Sequence, residues 1–268
     1  MFPSRASVDK MPIRRSYGWE RGLPSRRFPT LALTSYPELH PQASLIATGF
    51  DPPIWDQGNT NSCVGHGSTG GIAYARAKQG LPYIDLSRIF PYWNARVAEG
   101  TETQDSGASV GDAIAASQQF GDCPYTDLPT DLALVTVAPP SQAFSDAIVH
   151  KALTATRVWG SNSEGLQYHV KHCIDVLGLP VVFGFTVYES FESDAVAASG
   201  IVPMPGPSEL VVGGHCVRAV AYDDAAQRVK CANSWNTDWG EAGYFEIDYG
   251  YIFNPDYSDD FHAITLEA

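Results

Sequence analysis

The chain separates its patterns along its length: helix-like segments dominate the first half and strand-like runs the second. That order indicates an α+β protein, with two lobes and a groove between them. Residues 62–80 read as a helix closed by Gly80. A second helix runs from near Ser87 to Glu99, with Pro91 in its first turn, where a missing N–H costs little. Ser109 is placed to cap a third over 110–120, and Gly121 to stop it. A fourth spans about 163–177 and ends at Gly178. The apolar run 180–188 then predicts a strand buried on both faces. Strands follow at 216–222 and 228–233, separated by the turn-like 223–226, and at 243–247 and 263–266.

Residues 1–50 are rich in Pro, Arg and Ser and show little periodicity, which predicts an extended leader ending near Pro52-Pro53. Residues 51–268 remain as the folded domain, long enough to bury a sizeable core. The formal net charge of −13 argues against nucleic-acid binding through a broad surface. The charge is uneven. The first 30 residues hold seven Lys and Arg against two Asp and Glu, so the remainder carries a net −18. A basic segment tethered to an acidic body tends to lie on it, so the leader is expected to dock over the groove, or to be held by a neighbouring protein in an assembly.

No stretch approaches the roughly 20 apolar residues of a membrane span, and the N-terminus lacks a signal-type apolar core. A cytoplasmic or virion-associated protein is expected, with export by another route left open. The five cysteines, Cys63, Cys123, Cys173, Cys216 and Cys231, include no close C-x-x-C pair, so neither a metal nor any other cofactor is expected. Cys173, Cys216 and Cys231 read as small buried hydrophobes.

Cys63 differs from the other four. It stands in Gln57-Gly58-Asn59-Thr60-Asn61-Ser62-Cys63 at the mouth of a helix, where unpaired N–H groups and the helix dipole favour a thiolate. Far downstream come Gly213-Gly214-His215 and Asn233-Ser234-Trp235. Together these residues supply a complete cysteine nucleophile system. Cys63 is the thiol and His215 the base. The Asn233 amide can fix the histidine tautomer. Gln57, with the Cys63 backbone N–H, is an oxyanion donor. An indole such as Trp235 or Trp239 beside that amide would shield the Asn–His bond from water.

In these stretches, with Trp239-Gly240 and Gly243-Tyr244, the chain resembles the papain-like cysteine peptidases over roughly residues 50–268. Tyr17-Gly18-Trp19, Leu86-Ser87-Arg88, Asp105-Ser106-Gly107-Ala108-Ser109 and Val182-Phe183-Gly184-Phe185 resemble a bacterial and phage branch of that family. The resemblance implies a helical left lobe, an antiparallel, barrel-like right lobe and an active-site cleft between them. It implies that Cys63 is the nucleophile, His215 the general base and acid, Asn233 the orienting amide and Gln57 the oxyanion donor. Ser106-Gly107 resembles the glycine ledge whose backbone pairs with substrate, and Gly213 the contact across the cleft, with Trp235 beside it. In the family a propeptide commonly runs through the cleft against the substrate direction. The sequence also departs from the family pattern. Thr60 stands where a disulfide cysteine is usual, Val64 where an aromatic is usual, and Asn236 where a glycine is usual. His66 is expected to be a structural residue on the helix.

The function expected is a cysteine endopeptidase acting on peptide or protein substrates through an acyl-enzyme. Fold and triad do not fix the substrate, so a cell-wall amidase or an isopeptidase using the same residues is the alternative within enzymes. A virion or secretion component that retains the peptidase fold is the alternative outside them.

Overall fold

A computed structural model of the protein describes residues 15–22, 27–150 and 153–266. Residues 1–14 and 23–26 of the basic leader, with Arg5, Lys10, Arg14 and Arg26, lie outside the described residues.

The chain enters through a short strand, β1 (Gln42–Ser44), and then builds three helices: α1 (Cys63–Lys78), α2 (Ile89–Glu99) and α3 (Val110–Phe120). α2 and α3 start where their serines predict. The Ser87 hydroxyl accepts from the Phe90 N–H, and the Ser109 hydroxyl accepts from the Asp112 N–H. Gly100 ends α2 in the left-handed region at φ +74, as its lack of a Cβ allows. A short helix, α4 (Ser141–Ala147), precedes strand β2 (Leu153–Arg157), and α5 (Ser163–Asp175) follows, capped by the Asn162 side chain.

The second half is a sheet. Its remaining strands are β3 (Val181–Tyr188), β4 (Val211–Asp223), β5 (Arg228–Ala232), β6 (Tyr244–Asp248) and β7 (Ser258–Leu266), with the short helices α6 (Asp194–Ser199) and α7 (Tyr249–Ile252) between them. All pairings are antiparallel, in the order β2-β7-β3-β4-β5-β6, with β1 added to β4. Two expectations shift. Strand β4 begins at Val211, so Gly213 and Gly214 pair with Val187 and Thr186 and His215 lies inside the strand rather than ahead of it. Strand β7 begins at Ser258 rather than 263 and pairs with both β2 and β3.

Alternation along β3 divides the molecule. Val181, Phe183, Phe185 and Val187 enter the sheet-side core with Val217, Ala219, Phe245 and Ile247. Val182 points the other way, into the helical core with Val64, Ile72, Phe90 and Ile114. The α1 helix rests on β4 at the seam. A Cβ at Gly70 would lie 2.6 Å from the Arg218 guanidinium carbon, so the helix and the arginine are in close contact here. Arg218 forms a buried ion pair with Asp51 at 3.0 Å, and Asp51 also accepts from the Tyr244 hydroxyl at 2.8 Å. Among the described residues, no helix is long and apolar enough to cross a membrane.

Removing one member of a buried ion pair strands the other charge, a cost of about 3–5 kcal/mol. Asp51→Ala is therefore expected to lower the unfolding free energy by that order in a urea titration. Asp51→Ala with Arg218→Met should recover part of the loss. Equal stability of wild type and Asp51→Ala would show that the pair does not hold the seam.

Candidate active site

The elements converge on the first turn of α1. Cys63 is fully buried there. Across the cleft, His215 on β4 is also fully buried, and its Nε2 meets the Asn233 Oδ1 at 2.8 Å. The imidazole Nδ1 is buried without a hydrogen-bond partner. Trp235 stacks on the His215 ring, with centroids 4.7 Å apart and planes at 24°. Trp235 is itself buried. Asn236, next along, adopts φ +63. Asparagine enters that left-handed region more readily than other non-glycine residues, so the turn survives without the glycine usual there.

Gln57 is buried and tied at both ends of its amide. Its Oε1 accepts from the Ser234 hydroxyl at 2.7 Å, and its Nε2 donates to the Thr60 carbonyl at 2.8 Å. Ser234 thus joins the loop before α1 to the segment just after β5 that carries Asn233, a link the sequence reading missed because 177 residues separate the partners. Thr60 takes over the fastening that a disulfide would supply. Its hydroxyl donates to the Gln57 carbonyl at 2.8 Å and meets the Ser62 hydroxyl at 2.6 Å. The Ser62 hydroxyl lies 3.2 Å from His66 Nδ1. Burial pushes the His66 pKa down to about 3, so the imidazole stays neutral and the relay keeps its hydrogen bonding across the ordinary pH range.

A segment of the leader fills the cleft. The second amide hydrogen of Gln57 points to the Ser16 carbonyl at 3.1 Å. Trp19 N–H donates to the Gly214 carbonyl at 2.8 Å. Ala108 N–H donates to the Gly18 carbonyl at 2.8 Å, and Glu20 N–H to the Ala108 carbonyl at 3.1 Å, a parallel pairing. Gly18 is threaded between two walls. A Cβ on it would overlap the Asn61 carbonyl, and one on Gly107 would lie 2.6 Å from the Gly18 carbonyl oxygen. Tyr17 sits over Gly213, edge-on to His215 and to Trp235, and its hydroxyl donates to Glu192. Of the expected ledge residues, Gly107 approaches the strap closely, while Ser106 bonds only to the Gly107 carbonyl and the pairing itself is made by Ala108.

This cover reverses the expected ionisation. Burial pushes the Cys63 thiol up to about 11, against the pull of the Cys216, Gly18 and Val64 backbone amides. Burial, with Arg15 as a nearby cation, pushes His215 down to about 4, against the Asn233 hydrogen bond. Under the leader both groups are neutral at pH 7. The other cysteines are buried free thiols, and among the described residues no cluster of His, Cys, Asp and Glu could hold a metal.

A family model described as papain family cysteine protease matches residues 135–255. An uncharacterized peptidase C1-like protein of Acanthamoeba polyphaga mimivirus is 34% identical over 212 residues, which are 78% of this chain and 68% of that protein. The solved structure of xylellain, a cysteine protease from Xylella fastidiosa, superposes with a TM-score of 0.84 at 30% identity, over 95% of this chain and 98% of that one. The digestive procathepsin L 3 of Tenebrio molitor shares the fold, with a TM-score of 0.69 at 16% identity over 94% and 76%. The chain belongs to the papain family of cysteine proteases, with the α+β fold of that family. It is a hydrolase whose substrates are peptides or proteins.

Thr60→Val removes the hydroxyl that fastens the Gln57 loop. We expect kcat/KM for peptide hydrolysis to fall roughly tenfold, mostly in kcat, because a loosened donor weakens transition-state binding more than substrate binding. Thr60→Ser should restore most of it. A Thr60→Val enzyme with unchanged kcat would exclude a positioning role for the relay.

Proposed function

We propose that Cys63, His215, Asn233 and Gln57 form the catalytic machinery of a cysteine endopeptidase, and that the segment about residues 15–22 is its inhibitory strap. The observation that carries the reading is the orientation of His215. Asn233 engages Nε2 and leaves Nδ1 as the buried free nitrogen available to a thiol. In the reaction, the Cys63 proton passes to His215 Nδ1 while sulfur bonds to the scissile carbonyl carbon. The oxyanion is held by the Gln57 Nε2–H and the Cys63 backbone N–H. His215 then gives the proton to the departing amine, leaving a thioester. Water adds to that thioester with His215 as base, and the acid and the free thiol are released.

The strap supports both halves of the proposal. Gln57 already donates to a main-chain carbonyl, that of Ser16, as an oxyanion donor must. The strap continues past the thiol in both directions, which is the room an endopeptidase needs. The Gly18 amide faces the Cys63 sulfur. Similarity of fold to a procathepsin is consistent with a covered cleft.

Cys63→Ala is expected to cut peptide hydrolysis by roughly 10⁴-fold or more with an unchanged far-UV circular dichroism spectrum. Hydrolysis near the wild-type rate would refute the assignment. Gly18→Ala should lift the strap, since its methyl group meets the Asn61 carbonyl, and so raise peptide hydrolysis by the full-length chain. Lower activity in that variant would count against inhibition.

The ionisation shifts set a pH window for docking. His215 is held neutral down to about 4 under the strap. Facing water, it would take up a proton near 6.5. The released state therefore binds more protons between those values, and docking weakens as pH falls from about 6.5 towards 4. Cys63 keeps its proton up to about 11 when covered. A water-facing thiol loses it near 8.5, so docking also weakens as pH rises past about 8.5. A spin label introduced through Glu20→Cys, an exposed position, should be least mobile between these limits. Mobility independent of pH would contradict the linkage.

A further inference from the structure

A small cavity lies between the first turns of α1 and the strands β4 and β5, with a volume of about 10 Å³. Its wall includes His66, Gly67, Arg218, Ala232 and Asn233. Two of these residues carry buried nitrogens with no hydrogen-bond partner, His66 Nε2 and Asn233 Nδ2. His66 is 3% exposed and Asn233 5%, so bulk water does not satisfy either atom.

The direction of each neighbouring hydrogen bond follows from what its atoms can do. The Ser234 backbone N–H can only donate, and it meets the Asn233 Oδ1 at 2.8 Å. That fixes the amide: Oδ1 accepts from Ser234 and from His215 Nε2, and Nδ2 is left with two hydrogens to donate. On the helix side, the Thr60 hydroxyl donates to the Gln57 carbonyl, so the Ser62 hydroxyl donates to Thr60 at 2.6 Å. The Ser62 hydroxyl oxygen and carbonyl, 3.2 and 3.0 Å from His66 Nδ1, can then only accept. His66 Nδ1 therefore carries the hydrogen, and Nε2 is a bare acceptor on a neutral ring. One unpartnered nitrogen needs an acceptor and the other a donor.

We propose that the cavity is a binding site for a single water, which accepts from Asn233 Nδ2 and donates to His66 Nε2, and that His66 thereby positions the Asn233 amide. This deepens the proposed function and rests on its assignment of Asn233 as the group that orients His215. The volume suits one water, which needs about 10–15 Å³ by this measure and two to four polar partners. The Asp56 carbonyl, also beside the His66 ring, can take the second hydrogen. Arg218 stands in the wall, but its charge is answered by Asp51 at 3.0 Å, so the site calls for a neutral dipole rather than an ion. Through the water the donors run one way, from His215 to Asn233, to His66, to Ser62, to Thr60 and to the Gln57 carbonyl. Aligned bonds polarise one another in the same sense. The chain joins the residue that orients the base to the loop that carries the oxyanion donor. A turned-over Asn233 amide would set Nδ2 against two N–H groups, and the water opposes that turn by bonding Nδ2 on the other side.

The test begins with a high-resolution crystal structure and a ¹⁵N-histidine NMR spectrum of the full chain. We expect one water within about 3.2 Å of both nitrogens, and a His66 ring with its hydrogen on Nδ1. No water between the two nitrogens, or a hydrogen on Nε2, would overturn the proposal. In peptide hydrolysis by the full chain, His66→Phe should lower kcat roughly tenfold with KM unchanged, as a small misplacement of a positioned group does. His66→Gln, whose amide oxygen can accept from the water, should recover most of that loss. Equal kcat in all three forms would refute the positioning role. A loss in His66→Phe that His66→Gln leaves uncorrected would mark a packing effect and refute it too. Diffraction and tautomer do not depend on activity, so they stand apart from the protease reading. The water and the Nδ1 hydrogen in a chain whose Cys63→Ala variant still hydrolyses peptide would uphold the site and refute the catalytic assignment.

Discussion

The contact of α1 with β4 sets where Cys63 stands relative to His215, and the arrangement of the site depends on it. Cys63 begins the helix and His215 lies on the strand, so neither lobe can shift without separating them. The helix comes close because the face it turns to the sheet is nearly bare. A Cβ at Gly67 would lie 2.6 Å from the Cys216 sulfur, and one at Gly70 would meet the Arg218 guanidinium. Arg218 then closes the seam by pairing with Asp51 just ahead of the Gln57 loop. Ser234 closes it again from the other side, through Gln57. Helix, strand and oxyanion loop are thereby fixed to one another by two buried polar links. A buried charge pair is weak evidence of added stability, but breaking it is costly, and that is what a hinge-free cleft requires.

The same burial that gives precision also explains the resting state. A helix N-terminus favours a thiolate, and an adjacent imidazole favours it further. Both effects are local, and both are outweighed once the strap excludes water, because desolvation acts against every charged form. Cys63 and His215 are each displaced towards neutrality. Inhibition as proposed above needs no conformational change in Cys63 or His215. It needs only eight or so residues of extended chain laid across them, with one aromatic anchor.

Much of this was legible in the sequence, and the reason differs by residue. Ser109, Gly121 and Asn162 act on amides within a few positions, so helix limits follow from the local code. The order Gln57, Cys63, His215, Asn233 is a chemical statement that survives any intervening length. Strand β1, the pairing of β2 with β7 and the Ser234–Gln57 link are not local and have no periodic trace. The leader segment pairs with Ala108, one position past the Ser106-Gly107 stretch expected to be the ledge, and Gly107 packs against Gly18. Trp19 and Gly184, which pack together, were both noticed as part of a familiar stretch, yet nothing in a linear reading joins residues 165 positions apart. Thr60 was seen as a lost cysteine. Only the packing shows the gain, a hydroxyl relay to Ser62 and His66 that fastens the same loop without a redox-sensitive bond.

The charge imbalance has a narrower role than its size suggests. The described part of the basic segment makes few ion pairs. Arg27 meets Asp112 near the start of α3, while Arg15 lies over the Trp235 ring and Arg21 over that of Trp19. The contacts that hold the strap are main-chain hydrogen bonds to Gln57, Ala108 and Gly214, together with the buried indole. Exposed charges more than about 10 Å apart are largely screened at 0.1 M salt, whereas a buried ring and its backbone ladder are not. Attraction between the positive first 30 residues and a remainder of net −18 therefore favours encounter, and the groove itself decides what stays bound. That division fits the proposed strap: charge can bring many chains to the cleft, while main-chain pairing and one buried side chain hold this segment there.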